Sequence, residues 1–222
     1  MEINNIMKTT AILPIFNEEK TVAKVLPVLL KSKLLNEIIV VDDASTDNSL
    51  NTIKSFKSSK LKIIHLEENL GKSGAVKIAV KKTRSDILFF CDGDLHDFKL
   101  RHIKKLLKPL QKDRRSMTVG IRDRGTIHNI FVKKFGPLIT GERAVPRKFF
   151  EEVIEHPLMK DYAMEFVLND YCVKNSIPIK RMILQGVKQT NKPYKYSNKL
   201  MGVVLLLKQT IALMIVYVKL KA

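Results

Sequence analysis

The chain's 222 residues suffice for one sizeable core, and 45% hydrophobic with 28% charged residues is the balance of a folded protein rather than a disordered one. Two cysteines, Cys91 and Cys172, exclude a disulfide framework and a Cys-x-x-Cys metal centre. The formal charge of +18 favours anionic partners: nucleic acid, acidic lipid head groups or phosphorylated substrates.

Residues 1–8 lack the apolar run and small-residue cleavage site of a secretory signal, and Cys91 lies in an apolar run as a buried reduced thiol would. The expected location is therefore cytoplasmic. From there the chain alternates between two periods. Segments 9–15, 37–41, 61–66, 86–90 and 117–121 are short, apolar and rich in β-branched or aromatic residues, and read as strands buried on both faces. Between them Val22, Leu26, Leu29 and Leu30 share one helical face, Leu50 and Ile53 another, and Leu100, Ile103, Leu107 and Leu110 a third. Such alternation predicts an α/β fold with a mainly parallel sheet, right-handed crossovers and a ligand at the carboxyl ends of the strands.

Beyond about residue 125 the rhythm fades. Helices are expected over 146–155 and 163–174, a strand over 179–184, then a loop rich in Lys, Asn and Tyr and an apolar stretch over 200–218. No acidic residue follows Asp170. The last stretch approaches the roughly 20 residues of a membrane span. Lys208 at its middle would cost about 3 kcal/mol on insertion scales. A helix lying in an anionic membrane interface is more economical, with a core-packed helix and a span as the other readings.

Four strand ends carry polar residues in need of a reason. Pro14 to Glu18 follow the first strand, where Asn17 and Glu18 suit an ordinary helix start. After the second strand, Asp42 and Asp43 can accept hydrogen bonds from a base or ribose, while Ser45 and Asp47 suit a helix cap. Asn69-Leu70-Gly71-Lys72-Ser73-Gly74 combines glycines, free helix-start N–H groups and a lysine into a phosphate-binding corner. It is no P-loop, because Leu66 stands where that motif requires glycine. The run 87–91 then enters Asp92-Gly93-Asp94 directly. Carboxylates spaced this way suit Mg²⁺ or Mn²⁺ shared with substrate phosphates, and such an ion neutralises a departing diphosphate.

In this order the four signatures resemble glycosyltransferase family 2, with its GT-A fold, over roughly residues 8–125. The resemblance implies metal-dependent transfer from a nucleotide-diphosphate sugar. Pro14, Asn17, Glu18, Asp42, Asp43, Asn69, Lys72 and Asp92 would bind the nucleotide, and Asp92 and Asp94 the metal. Similarity to polyprenyl-phosphate sugar synthases places His96 where a metal-binding glutamine stands. It also puts Arg122 and Arg124 at a phosphate contact, and Glu142 and Arg143 on the acceptor side. Tyr162-Ala163-Met164-Glu165 resembles a Tyr-Gly-x-Glu segment, which leaves Glu165 as general base, acceptor-orienting carboxylate or plain helix residue, beside Asp94 as the other catalytic candidate. The implied organisation is a GT-A domain over 1–199, with a nucleotide-binding half (8–125) and an acceptor half (126–199), then an apolar basic helix over 200–222 at a membrane surface. The acceptor would be a polyprenyl phosphate or other lipid-linked group; the competing acceptors are a small phosphorylated acid and a cell-surface polymer. An aspartate-nucleophile phosphatase also uses Asp-x-Asp, but at the first strand and with Thr or Val where Leu95 stands. Nucleic acid is disfavoured as partner, since no known binding motif is present and aromatics are only 7%.

Overall fold

The computed structural model describes residues 7–123, 125, 140–160, 163–189, 211, 215, 216 and 218–220. Its strands are β1 (Thr9–Ile15), β2 (Glu37–Asp42), β3 (Leu61–His65), β4 (Ile87–Phe90), β5 (Leu95–His96), β6 (Met117–Arg122), β7 (Arg143–Pro146), β8 (Ile179–Leu184) and β9 (Lys188–Gln189). Its helices are α1 (Glu19–Lys31), α2 (Ser49–Lys54), α3 (Gly71–Lys81), α4 (Leu100–Lys112), α5 (Arg147–Val153) and α6 (Met164–Lys174). Seven strands form one sheet in the order β3-β2-β1-β4-β7-β6-β8, and β5 and β9 pair separately.

The sheet is mixed. β1, β2, β3 and β4 run parallel, as do β6 and β8, while β7 lies antiparallel to both β4 and β6. Period-two alternation splits the core between the two faces. Ala11, Leu13, Ile15 and Phe89 pack beneath α1 and α4, and Ile12, Leu88 and Phe90 pack beneath α3, α5 and α6. β1 has β2 and β3 on one side and β4 on the other, so the strand order reverses there and opens a crevice at the carboxyl ends.

Two expectations need correction. β3 is only half-buried, with Lys62 and His65 exposed, because it is an edge strand with a neighbour on one side only. Leu100 is 46% exposed, and Leu106 joins Ile103, Leu107 and Leu110 on the buried stripe of α4 in its place. Of the apolar stretch 200–218, only positions 211, 215, 216 and 218 are described, so the expected helix lies largely outside the described residues. Among the described residues, no helix is long and apolar enough to cross a membrane.

Candidate active site

The loops after β1 and β2 brace each other. Asn17 and Ala44 both adopt left-handed backbone, with φ of 54° and 58°. For an L-residue that conformation is uncommon; Asn enters it most readily, and alanine persists there only when its surroundings fix it. They are fixed here by cross-loop bonds. The Asn17 N–H donates to Ser45 Oγ at 3.1 Å, and Asn17 Oδ1 accepts from the Thr46 N–H at 2.8 Å. The Glu18 N–H donates to Ser49 Oγ at 2.8 Å. Ser45 therefore does not cap the next helix. Asp47 serves that end, accepting from the Ser49 N–H at 2.9 Å and from the Glu19 N–H at 3.1 Å.

Asp42 and Asp43 diverge in environment. Asp42 is fully buried; its Oδ2 lies 2.8 Å from His65 Nδ1, and its Oδ1 has no hydrogen-bond partner. Asp43 ties the loop before α3, accepting from the Leu70 N–H at 2.8 Å while its carbonyl accepts from Asn69 Nδ2 at 3.0 Å. Burial raises the Asp43 carboxyl, against the two backbone N–H groups of Leu70 and Gly71. The Gly71 N–H is also met by Asn69 Oδ1 at 3.2 Å, so this loop's first N–H groups are satisfied internally. Of the helix-start corner expected from sequence, the Leu70 and Gly71 N–H groups are thus engaged internally, and Lys72 is the member that turns into the crevice.

Lys72 reaches across the crevice. Its ammonium donates to Asp92 Oδ1 at 2.6 Å and to Glu165 Oε1 at 2.8 Å, joining α3, the end of β4 and the first turn of α6. Burial alone would depress the ammonium, but the two carboxylates outweigh it and hold Lys72 above its ordinary value. Gly93 is required between the aspartates, because a Cβ there would strike Glu18 Oε2 and Ile15 Cδ1. Gly141 lies equally close on the other side, where a Cβ would overlap the Asp92 carboxylate. Asp94 is buried, with Oδ1 accepting from Gln189 Nε2 at 2.8 Å. His96 is half-buried in the β5–β9 ladder opposite Lys188.

The expected acceptor residues separate into two kinds. Arg122 is mostly buried and sets Nη1 3.6 Å from Glu142 Oε1, an ion pair longer than a hydrogen bond. Neither carboxylate oxygen of Glu142 has a hydrogen-bond partner, and burial, together with nearby Asp92, pushes Glu142 up to about 7 against Arg122. Arg143 departs from the acceptor expectation. It is fully buried in β7 and donates to the Thr140 carbonyl at 2.8 Å, to the Glu165 carbonyl at 3.4 Å and to Asn169 Oδ1 at 3.3 Å. These contacts make it a brace between the 140–142 turn and α6, not a ligand contact. Arg124 and Tyr162 lie outside the described residues.

Lys72 from α3, Asp92 and Asp94 from the β4–β5 turn, Glu142 from the turn before β7 and Glu165 from α6 thus meet at the crevice where the strand order reverses. The sequence model of glycosyl transferase family 2 matches residues 10–163, which span all of them except Glu165. The chain belongs to glycosyl transferase family 2. An uncharacterized protein of Methanocaldococcus jannaschii is 38% identical over 119 residues, covering 50% of this chain and 51% of that protein. Dodecaprenyl-phosphate galacturonate synthase of Rhizobium johnstonii is 27% identical over 123 residues, covering 52% and 36%. Each match thus spans about half or less of the relative's length. Glucosyl-3-phosphoglycerate synthase of Mycobacterium tuberculosis, crystallised with Mn²⁺ and uridine-diphosphate-glucose, superposes with a TM-score of 0.72 at 21% identity, over 94% of this chain and 78% of that one. That likeness establishes the GT-A fold for this family 2 chain.

Motif reasoning did not single out Gln189 or His65. Neither belongs to a pattern; each matters through a partner far away in sequence, Asp94 and Asp42 respectively.

Proposed function

We propose that residues 1–199 form a GT-A catalytic domain that transfers a sugar from a nucleotide-diphosphate sugar to a phosphorylated, lipid-linked acceptor. The carrying observation is the Asp92-Gly93-Asp94 turn at the reversal point of the sheet, with Lys72 bound to its first carboxylate. The unpartnered Asp42 Oδ1 suits a nucleotide N–H or ribose hydroxyl. Among the described residues, no three His, Cys, Asp or Glu side chains gather into a metal site on their own. A hard cation such as Mg²⁺ or Mn²⁺ fits this composition, since it typically takes one or two carboxylates and draws other ligands from substrate phosphates and water. Asp92 and Asp94 would hold it, and it would supply charge neutralisation to the departing diphosphate.

The chain's own residues do the rest. Lys72 can exchange Asp92 for a phosphate oxygen without leaving Glu165, so one ammonium both balances the site and grips the donor. Gln189 and Gly141 fix the orientations of Asp94 and Asp92. Arg122 faces an incoming phosphate acceptor, which is already anionic at neutral pH and requires no general base. Glu165, paired with Lys72, then orients and does not abstract a proton. Lipid linkage is supported by the relative that acts in dodecaprenyl-phosphate glycosylation and by exposed Ile211, Ile215 and Val218, which follow helical spacing on the acid-free tail. The test is a thermal-shift panel of nucleotide sugars with and without Mn²⁺. One donor should stabilise the protein only with metal, and Asp92→Ala/Asp94→Ala should abolish the shift. Metal-independent stabilisation, or a shift that survives the double replacement, would refute the assignment.

A further inference from the structure

Charge is unevenly spread over the two helical layers. α4 belongs to the layer beneath which Leu13 and Phe89 pack, and its outer face exposes Arg101, Lys104, Lys105, Lys108 and Lys112 without a carboxylate. Asp113, which follows the helix, is held by Lys180 at 3.0 Å. On the opposite layer α5 and α6 carry exposed or half-exposed Glu151, Glu152 and Asp170 among their lysines. A lysine-rich composition by itself would place cations on both layers alike.

Along α4, residues four apart share a stripe. Leu100, Lys104, Lys108 and Lys112 form one, and Leu100 is 46% exposed at its head. Residues 97–99 separate that end from β5, and as the start of a helix that comes after parallel β4 it lies toward the carboxyl ends of the strands, where the Asp92-Gly93-Asp94 turn also stands. An apolar residue leading a lysine row is the pattern of a surface that meets lipid head groups at one end and acyl chains at their boundary. The row is lysine, with no aromatic to stack on bases, which favours a bilayer over nucleic acid.

We infer that the outer face of α4 docks on an anionic lipid bilayer and sets the mouth of the crevice against the head groups. This inference deepens the lipid-linked reading above and rests on it for its purpose, though the docking can be measured independently. The test is co-sedimentation of the full chain with phosphatidylcholine vesicles, alone or mixed with phosphatidylglycerol. The wild type should bind only the mixed vesicles, and salt should weaken binding. The triple variant Lys104→Glu, Lys108→Glu, Lys112→Glu should lose about 100-fold in partitioning, from the contribution of each lysine near a charged surface. The matched variant Lys148→Glu, Lys160→Glu, Lys174→Glu changes net charge equally on the other layer and should retain most of the binding. Melting curves check that both variants fold, and Lys→Gln versions replace either that does not. Equal loss in both triple variants, no loss in the α4 variant, wild-type binding to pure phosphatidylcholine, or preferential binding to single-stranded RNA would each overturn the inference. A panel of nucleoside diphosphates with Mn²⁺, assayed by thermal shift on the same proteins, separates the two claims. Silence there with intact vesicle binding removes the proposed function and leaves the docking surface.

Discussion

Replacing Lys72 by methionine keeps most of the side chain's length and deletes its charge. The Lys72 side chain is 14% exposed and contacts Asp92 and Glu165, whose side chains are 15% and 6% exposed, so solvent compensates little for its loss. Removing one partner of a buried ion pair typically costs about 3–5 kcal/mol, because the remaining charge is left uncompensated. For a chain of this size that corresponds to a drop of roughly 10 °C in melting temperature. The decisive reading comes on adding Mn²⁺ alone. In the wild type Asp92 Oδ1 is engaged by Lys72 at 2.6 Å, so the metal must compete with an internal cation. In Lys72→Met that competition is gone, and Mn²⁺ should raise the melting temperature of the variant more than that of the wild type. Nucleoside diphosphate should do the reverse, since the variant lacks the group that grips phosphate. Differential scanning fluorimetry with metal, nucleotide and both reads all three effects. A variant that melts with the wild type, or equal Mn²⁺ shifts in the two proteins, would refute the idea that Lys72 holds the metal site's countercharge.

Glu142 offers a pH test. Its folded value of about 7 lies above the ordinary 4.5, so between them the folded state keeps a proton that the unfolded chain releases, and stability falls as pH rises through this window. Below it both states are protonated and Glu142→Gln should match the wild type. Above it the glutamine variant should be more stable by about 3 kcal/mol, read by urea unfolding at each end of the window; a constant difference across pH would contradict the assignment. Gly141→Ala should displace the Asp92 carboxylate that its Cβ would overlap, weakening Mn²⁺ activation about 10–100-fold and lowering the melting temperature as Asp92 is pushed off Lys72. Unchanged Mn²⁺ activation would show that Gly141 does not fix Asp92.

The strands that the sequence revealed were those whose burial is decided locally. Segments such as 9–15 and 117–121 pack apolar residues on both faces and read as strands without reference to anything else. β7 did not, because Arg143-Ala144-Val145-Pro146 opens with a charged residue and closes with proline. It is a strand only because β4 and β6 lie on either side of it and its arginine finds carbonyls to bond. The same division runs through the site. Asp92, Asp94 and Lys72 stand in motifs because backbone turns and strand ends fix them within a few residues. Lys72 meeting Glu165, 93 residues later, depends on where α6 docks, and no spacing encodes that. Leu100 followed the helical period as well as Leu106 does, yet only three-dimensional packing decides which of them is covered.

The crevice gathers Lys72, Arg122 and Arg143 against Asp92, Asp94, Glu142 and Glu165, three cations facing four carboxylates among the described residues. Well-packed apolar residues would be at least as stable in that volume, since desolvating charges commonly costs more than pairing them returns. Burial registers that cost at two members: Glu142 is pushed up to about 7, and Arg143 is held below its ordinary value. A fold maintained against such a cost points to chemistry and not to stability. A divalent cation at Asp92 and Asp94 would stand beside the Lys72 ammonium, and an anionic phosphate carried with it would offset that crowding of positive charge. Under the proposed function, Asp92 and Asp94 would take the metal and Lys72 the diphosphate, so the two would enter as a unit.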